Sequence, residues 1–250
     1  MADGPTLLVF SGAGLSAESG IPTYRDHDGL WRGINPQTVA TRAALVDNPE
    51  LVREFCNERR AAIGEAQPNA AHRLIARWQQ TYPGTRLITQ NVDDLLERAG
   101  CIDVMHVHGR YTHMRCEGCG LVWEIGYAAV EAGERCPRER CRSRRIRPAI
   151  VFFHELAPLY RDMHKALGKL GHGDVLVVIG TTGAVVDIGA LARPLRCHKL
   201  LVNLNPSEDL DERIFDWVRM APVCTVLDEL DAEFSGCSRS ELGSRHGRSR

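Results

Sequence analysis

Four short apolar runs, each ending in small or polar residues and followed by a helical pattern, restrict this chain to a narrow set of folds. Residues 6–10 lead into SGAGLSAES, 85–89 into QNVDDLLERAG, 174–179 into GTTGAVVDIGALA, and 199–202 into NLNPSEDLDERIFDWV. The runs are continuously apolar rather than alternating, as strands buried on both faces are. Strands alternating with helices form βαβ units, whose strands lie parallel. The expected architecture is a doubly wound, Rossmann-like α/β sheet. Its ligands should sit at the C-terminal ends of the strands, where the polar turns gather.

Two stretches break the alternation. Residues 33–71 read as helical, with Asn48-Pro49-Glu50 opening a helix. Residues 113–145 hold a cysteine cluster and many arginines. Both read as insertions that build a small zinc-ribbon plus helical module. The sheet domain is then expected over 1–32, 72–112 and 146–233. From 234 to 250 the chain is rich in Ser, Arg and Gly without apolar periodicity, which predicts disorder. The 250 residues suffice for one large domain and such a satellite. Lys+Arg of 31 against Asp+Glu of 32 excludes a polycation built for nucleic acid. No apolar run is long enough to cross a bilayer, and no basic region precedes the first one, so a cytoplasmic location is expected.

The nine cysteines are unevenly spread. Cys116, Cys119, Cys136 and Cys141 form C-x2-C-x16-C-x4-C, two knuckles on a short ribbon. Four thiolates at such spacing suit tetrahedral zinc, and with every position filled by protein the site is structural. The alternative is four buried thiols. Cys56, Cys101, Cys197, Cys224 and Cys237 are scattered and read as small buried hydrophobes. The arginines around the second knuckle read as a solvated basic face.

The first strand turn carries Gly12-Ala13-Gly14-Leu15-Ser16, followed by Ala17, Glu18, Ser19 and Gly20. Gly12 and Gly14 allow a tight turn and close approach of backbone to a pyrophosphate. A polar loop replaces the usual next strand, which disfavours a dehydrogenase. Gln90, Asn91, Asp93 and Asp94 follow the second run, as ligand groups or as a helix cap. Gly180-Thr181-Thr182 and Asn203-Leu204-Asn205 offer hydroxyls and amides suited to ribose and adenine. His106 and His108 fall on one side of an extended segment, as core histidines, a metal pair or a general base.

Together and in this order, these motifs resemble the sirtuins, NAD-dependent protein lysine deacylases. The resemblance runs from about residue 6 to 233 through GAGLSAESGIPTYRDHDGLW, QPNAAH, TQNVDDLLERAG, HVHG, the four cysteines, RPAIVFFHE, GTT and NLNP. It implies NAD as co-substrate and one structural zinc ion. NAD and acyl-lysine proteins or peptides would meet in the cleft between the sheet domain and the small module. By resemblance, Gly12, Ala13, Gly14 and Ser16 match the pyrophosphate turn. Ala17, Glu18, Thr23, Tyr24, Arg25 and Trp31 match the cofactor loop. Gln90, Asn91 and Asp93 match nicotinamide and ribose contacts, and Gly180, Thr181, Thr182, Asn203, Leu204 and Asn205 match the adenosine side. His108 matches the catalytic base, with Asn91 beside it, while His106 matches no family role. The implied reaction releases nicotinamide as the acyl oxygen attacks the anomeric carbon; His108 takes a ribose hydroxyl proton, and water frees lysine and acyl-ADP-ribose. Mono-ADP-ribosyl transfer from the same NAD site is an alternative. A non-catalytic NAD or ADP-ribose sensor whose zinc module contacts nucleic acid is another, against which Asn91, Asp93 and His108 count. Nucleic acid and membrane partners are not expected, and a monomer is.

The segments around Ala40 and Phe55–Arg60 resemble the class III branch, which removes succinyl and malonyl groups. There a small alanine widens the acyl pocket and a Tyr-x-x-Arg pair binds the distal carboxylate. Ala40 and Arg59 match, whereas Cys56 stands in place of the tyrosine. In Phe153-His154-Glu155, on the implied substrate strand, His154 replaces the family's glycine. These departures imply that deacetylation is retained and desuccinylation weakened.

Overall fold

The computed structural model describes residues 6–23 and 33–245. Its larger sheet holds six parallel strands: β1 (Leu7–Ser11), β2 (Arg86–Thr89), β3 (Met105–His106), β7 (Val175–Ile179), β8 (His198–Asn203) and β9 (Trp217–Met220). Their order is β3-β2-β1-β7-β8-β9. The chain builds outward from β1 to β3, then returns to β1's other edge for β7. Helices cover both faces: α5 (Ala70–Thr81) and α9 (Leu227–Arg245) on one, α7 (Tyr160–Leu167) and α8 (Ile188–Ala192) on the other. Leu7 and Val9 point into the first layer, Leu8 and Phe10 into the second, which is why the strand reads as unbroken apolar sequence. The expected Rossmann-like α/β fold is therefore the observed one.

The smaller sheet, β5-β4-β6, is antiparallel and comprises β4 (Gly109–Cys116), β5 (Val122–Glu124) and β6 (Ile146–Ile150). Three helices lie beside it: α2 (Pro36–Val39), α3 (Arg42–Asp47) and α4 (Pro49–Glu65). Asn48 starts α4 by accepting the Leu51 N–H, with Pro49 in the first turn. Val52, Phe55, Cys56 and Ile63 of α4 pack on Tyr111, Ile150 and Phe152. The buried Arg60 ties α4 to the sheet, its Nε donating to the Tyr111 carbonyl at 2.9 Å. Asn57 exchanges two hydrogen bonds with the backbone of Val130, so both insertions form one module.

The structure departs from the sequence reading in three places. The residues after β8 form no α-helix: a short 3₁₀ turn at Glu212–Ile214 leads to the edge strand β9. The seams also shift, because β4 starts at Gly109 and β6 at Ile146 in the small sheet, while α5 is capped by Asn69 in front of residue 72. Finally, α9 continues through residue 234 to Arg245. Phe234 is buried against Trp78 and Tyr82, an apolar anchor that composition alone concealed. No helix of the described residues is long and apolar enough to cross a membrane.

The remaining helices, α1 (Gly14–Ala17) and α6 (Leu95–Arg98), are single turns following β1 and β2. The turns after β1 and β7 touch: a Cβ on Gly12 would stand 2.7 Å from the Gly180 carbonyl oxygen, and one on Gly14 2.6 Å from Gly180 Cα. Gly180 itself has φ +64°, with the backbone of Gly14 and Leu15 against the place of its missing Cβ. Gly180→Ala is expected to lower unfolding free energy by about 2–4 kcal/mol in urea titrations, combining clash with left-handed strain.

Candidate functional site

The site occupies the crevice where strand order reverses, at the C-terminal ends of β1, β2 and β7. Ser16 on α1 is buried and forms its hub. Its hydroxyl donates to Asp93 Oδ2 at 2.9 Å and accepts from Asn91 Nδ2 at 3.0 Å. His72 Nε2, at the start of α5, lies 3.5 Å from the same oxygen. Burial raises the Asp93 carboxyl above the usual carboxylate range, despite hydrogen bonds from Leu95 N–H and Ser16. Burial also depresses His72 to about 4, so it is neutral at physiological pH. The sequence assigned His72 no role, although it falls in QPNAAH.

The two histidines of His106-Val107-His108 part company. The His106 ring is buried, with Nδ1 donating to the Asn91 carbonyl at 2.9 Å and Nε2 2.8 Å from Glu97 Oε1. Burial disfavours the Glu97 carboxylate, but its interactions with His106, a backbone N–H and Arg110 together outweigh that and hold its pKa below the usual value. His106 thus braces Asn91 from behind. His108 lies between β3 and β4, half-buried, with Nδ1 3.0 Å from the Gln90 carbonyl. A carbonyl only accepts, so Nδ1 carries the ring proton and Nε2 presents a lone pair. Burial lowers the His108 pKa, opposed by the Gln90 hydrogen bond. Neutral imidazole with an outward Nε2 is the form a general base needs. The sequence reading had no signal for Tyr160, whose hydroxyl sits 2.9 Å from that Nε2.

The other expected nucleotide contacts line the same crevice. Gln90 Nε2 donates to Thr181 Oγ1 at 2.8 Å, linking the ends of β2 and β7. The Asn203 amide bonds both ways to the Thr181 backbone, at 3.0 and 2.7 Å, so it shapes the turn. Leu204 and Asn205 are exposed beyond it, and Ser207 Oγ donates to the Thr182 carbonyl. Glu18 accepts the Cys224 N–H at 2.9 Å, which brings the turn after β9 beside α1. Ala13 is half-buried, Ala17 exposed and Thr23 half-buried, whereas Tyr24, Arg25 and Trp31 lie outside the described residues.

The expected substrate residues gather along the module. The Phe153 N–H donates to the Ala40 carbonyl at 2.8 Å. Cys56 is enclosed among the residues that pack α4 on the small sheet, Val52, Phe55, Tyr111 and Phe152 among them, and burial pushes its thiol up to about 12. Arg59, one turn on, is half-buried, with its guanidinium 3.5 Å from the Pro22 carbonyl. His154 is exposed at φ +68°, a left-handed conformation that glycine adopts without strain. Glu155 accepts from Arg42 and Arg147 through Oε1 and from the Phe152 N–H through Oε2, so both oxygens brace this turn.

The four cysteines converge. Cys116 and Cys141 sulfurs are 3.7 Å apart, as are those of Cys119 and Cys136, and all four lie within 4.8 Å of one another. Tetrahedral zinc with Zn–S bonds of about 2.3 Å sets sulfurs about 3.8 Å apart, so the donor set fits. The Gly118 N–H donates to Cys116 Sγ, as a thiolate ligand requires. Of the scattered cysteines, Cys56, Cys101 and Cys197 are buried and Cys224 half-buried.

Comparison with known proteins bears on this constellation. The profile of the Sir2 family matches residues 12–187. An NAD-dependent protein deacylase of Helicobacter hepaticus is 39% identical, over 92% of this chain and 97% of its own. NAD-dependent protein deacylase 1 of Pseudomonas aeruginosa is 37% identical, over 92% and 94%. The crystal structure of a Sir2 homolog–NAD complex superposes with a TM-score of 0.80 at 33% identity, covering 95% of this chain and 92% of that one.

The four-cysteine geometry predicts one zinc ion per chain by elemental analysis. Chelation, or Cys119→Ser, should lower the melting temperature by several degrees, since about 2 kcal/mol already shifts a chain of this size that far.

Proposed function

The chain belongs to the Sir2 family, and from that membership we propose how its strand-end site carries out NAD-dependent deacylation and which acyl groups it accepts. The reaction class is NAD-dependent protein deacylation, as in relatives at 37 and 39% identity. The observation that carries the mechanism is the fixed tautomer of His108. With Nδ1–H held by the Gln90 carbonyl, Nε2 is the basic atom and takes the ribose hydroxyl proton. Asn91 lies on the same strand end, its carbonyl and side chain both fixed by buried partners, and orders the nicotinamide side. Gly12 to Ser16, Gln90, Asp93 and Gly180 to Thr182 cradle the dinucleotide along the crevice. Asn203 acts through Thr181, and Leu204 and Asn205 border the adenosine end. Acyl-lysine of a protein or peptide enters along Ala40 and Phe153–Glu155, whose backbones already pair.

The acyl end of the pocket lies on α4. Arg59 supplies a cation beside the segment leading from α1, suited to a carboxylate at the far end of an acyl chain. Cys56, in place of a tyrosine, offers no phenolic hydroxyl there. Deacetylation is therefore retained, and desuccinylation or demalonylation is present but weakened.

Mixing the protein with NAD and acetyl-lysine peptide should release nicotinamide only when both are present, and His108→Ala should reduce this at least about a hundredfold. Because His108 titrates below its ordinary value, the neutral base persists through neutral pH. The kcat/KM profile should accordingly stay flat there and fall only on acidification below about 6.5. ADP-ribose appearing on protein without acylated substrate would instead indicate ADP-ribosyl transfer. Arg59→Met should cut the succinyl-to-acetyl ratio of kcat/KM about tenfold or more; an unchanged ratio would remove Arg59 from the acyl pocket.

A further inference from the structure

Tyr160 opens α7, and neither the strand-turn-helix pattern nor the motif set singles it out. Its hydroxyl lies 2.9 Å from His108 Nε2, with the two ring centroids 5.9 Å apart. The roles in this bond are fixed by the other side of the imidazole. Nδ1 donates to the Gln90 carbonyl, so neutral His108 has only an acceptor at Nε2, and the phenol must be the donor. Burial raises the Tyr160 pKa, which keeps the phenol protonated and able to donate at neutral pH.

An sp² ring nitrogen has one lone pair. The base function assigned above requires a ribose hydroxyl to donate to that same lone pair, and two donors cannot share it with good geometry. We infer that Tyr160 is a positioning residue that caps the catalytic base in the ligand-free enzyme and must be displaced when NAD binds. This rests on the reading of His108 as the base.

The surroundings suit an exchangeable cap. The Tyr160 ring is half-buried and packs, beside Leu159, at the edge of the core under α7 and α8, so it has a seat that does not depend on the hydroxyl. The segment before it, from His154 to Leu159, is irregular and has Leu156 97% exposed. Among the described residues, the groups in hydrogen-bond contact with the imidazole are the Gln90 carbonyl and the phenol. The cap keeps the ring in its productive orientation, and it weakens NAD binding because one hydrogen bond is exchanged rather than gained.

Tyr160→Phe tests this, since it keeps the ring and its packing and deletes only the donor. Calorimetric titration with NAD, without peptide, should show the variant binding about three- to tenfold more tightly than the parent. In turnover with acetyl-lysine peptide, the change should fall on KM for NAD rather than on kcat. A purely structural tyrosine would not produce that split. Long-range ¹⁵N NMR of the ligand-free proteins supplies the second readout: the His108 Nε2 signal should move several ppm toward the frequency of an unbonded nitrogen in the variant. Addition of NAD should bring parent and variant to the same signal. Unchanged or weaker NAD binding by Tyr160→Phe overturns the cap, whatever the ring signal does. An unmoved Nε2 signal overturns it as well. Should neither protein bind NAD, the functional reading itself fails, and the ring signal alone then decides whether the resting bond exists.

Discussion

Gly12, Gly14 and Gly180 let the turns after β1 and β7 meet with no side chain between them, and the rest of the site hangs from that contact. The contact lies at the one place in the large sheet where strand order reverses, so it also forms the floor of the crevice. The Gly14 N–H donates to the Gly180 carbonyl at 2.9 Å, locking the two turns together. Thr181 is then gripped from two sides, by Gln90 of the β2 end and by the Asn203 amide of the β8 end. Four strand ends thereby become one rigid rim. A ligand laid across it meets backbone and hydroxyls whose positions were set before binding, which reduces the ordering cost of association.

The second layer of order is the buried polar cluster around Ser16. Its members belong to α1, α5 and the segment after β2, so a single hydroxyl joins three elements. Such a cluster is tolerable only because its groups are mutually satisfied; removing one partner would leave buried polar atoms unpaired at about 1–3 kcal/mol each. The neutral state of His72 and the raised pKa of Asp93 share one cause, desolvation, which penalises the charged form of each. His106 adds a clamp on the Asn91 carbonyl from the opposite side. Asn91 is thus held at both its main chain and its side chain.

The sequence disclosed those parts of the molecule whose physics is local or repetitive. The parallel strands read clearly because both faces are buried and each run is continuously apolar. The cysteines read clearly because metal ligation imposes spacing. β9 was hidden: Trp217–Met220 is an edge strand, half-buried throughout, and follows a polar stretch that mimics a helix. The end of the fold was hidden too, since Phe234 is one aromatic in a polar tail, and its aromatic partners Trp78 and Tyr82 lie far earlier in the chain. Within the site, residue types were legible but partners were not. Asn203 reads as a ligand amide until Thr181 is seen to engage it from both ends. Tyr160 reads as nothing, because its meaning lies in an oxygen–nitrogen distance across 52 positions.

His108 occupies the seam between the two sheets, and this links it to the cysteine cluster. On one side it follows β3, with the Val107 N–H bonded to the Thr89 carbonyl of the large sheet. On the other it precedes β4, and its own carbonyl accepts the Val151 N–H at 2.8 Å beside the small sheet. Gly109, next along, has φ +78° and backbone of Ala149 directly against it, so the chain crosses the seam through a position that tolerates no side chain. The far end of the same strand is Cys116; β4 bulges between Arg110 and Met114, so its ends pair with Ile150 and Ile146, four residues apart on β6, or on the order of 13 Å at extended-strand rise. Zinc at that distance does not touch the His108 imidazole. It fixes the end of β4, and β6 pairs along that strand back to Gly109, so the metal sets the frame in which the His108 backbone is held. Loss of the ion would act on His108 through strand pairing, with the imidazole tautomer intact as long as the Gln90 carbonyl of the large sheet still faces it.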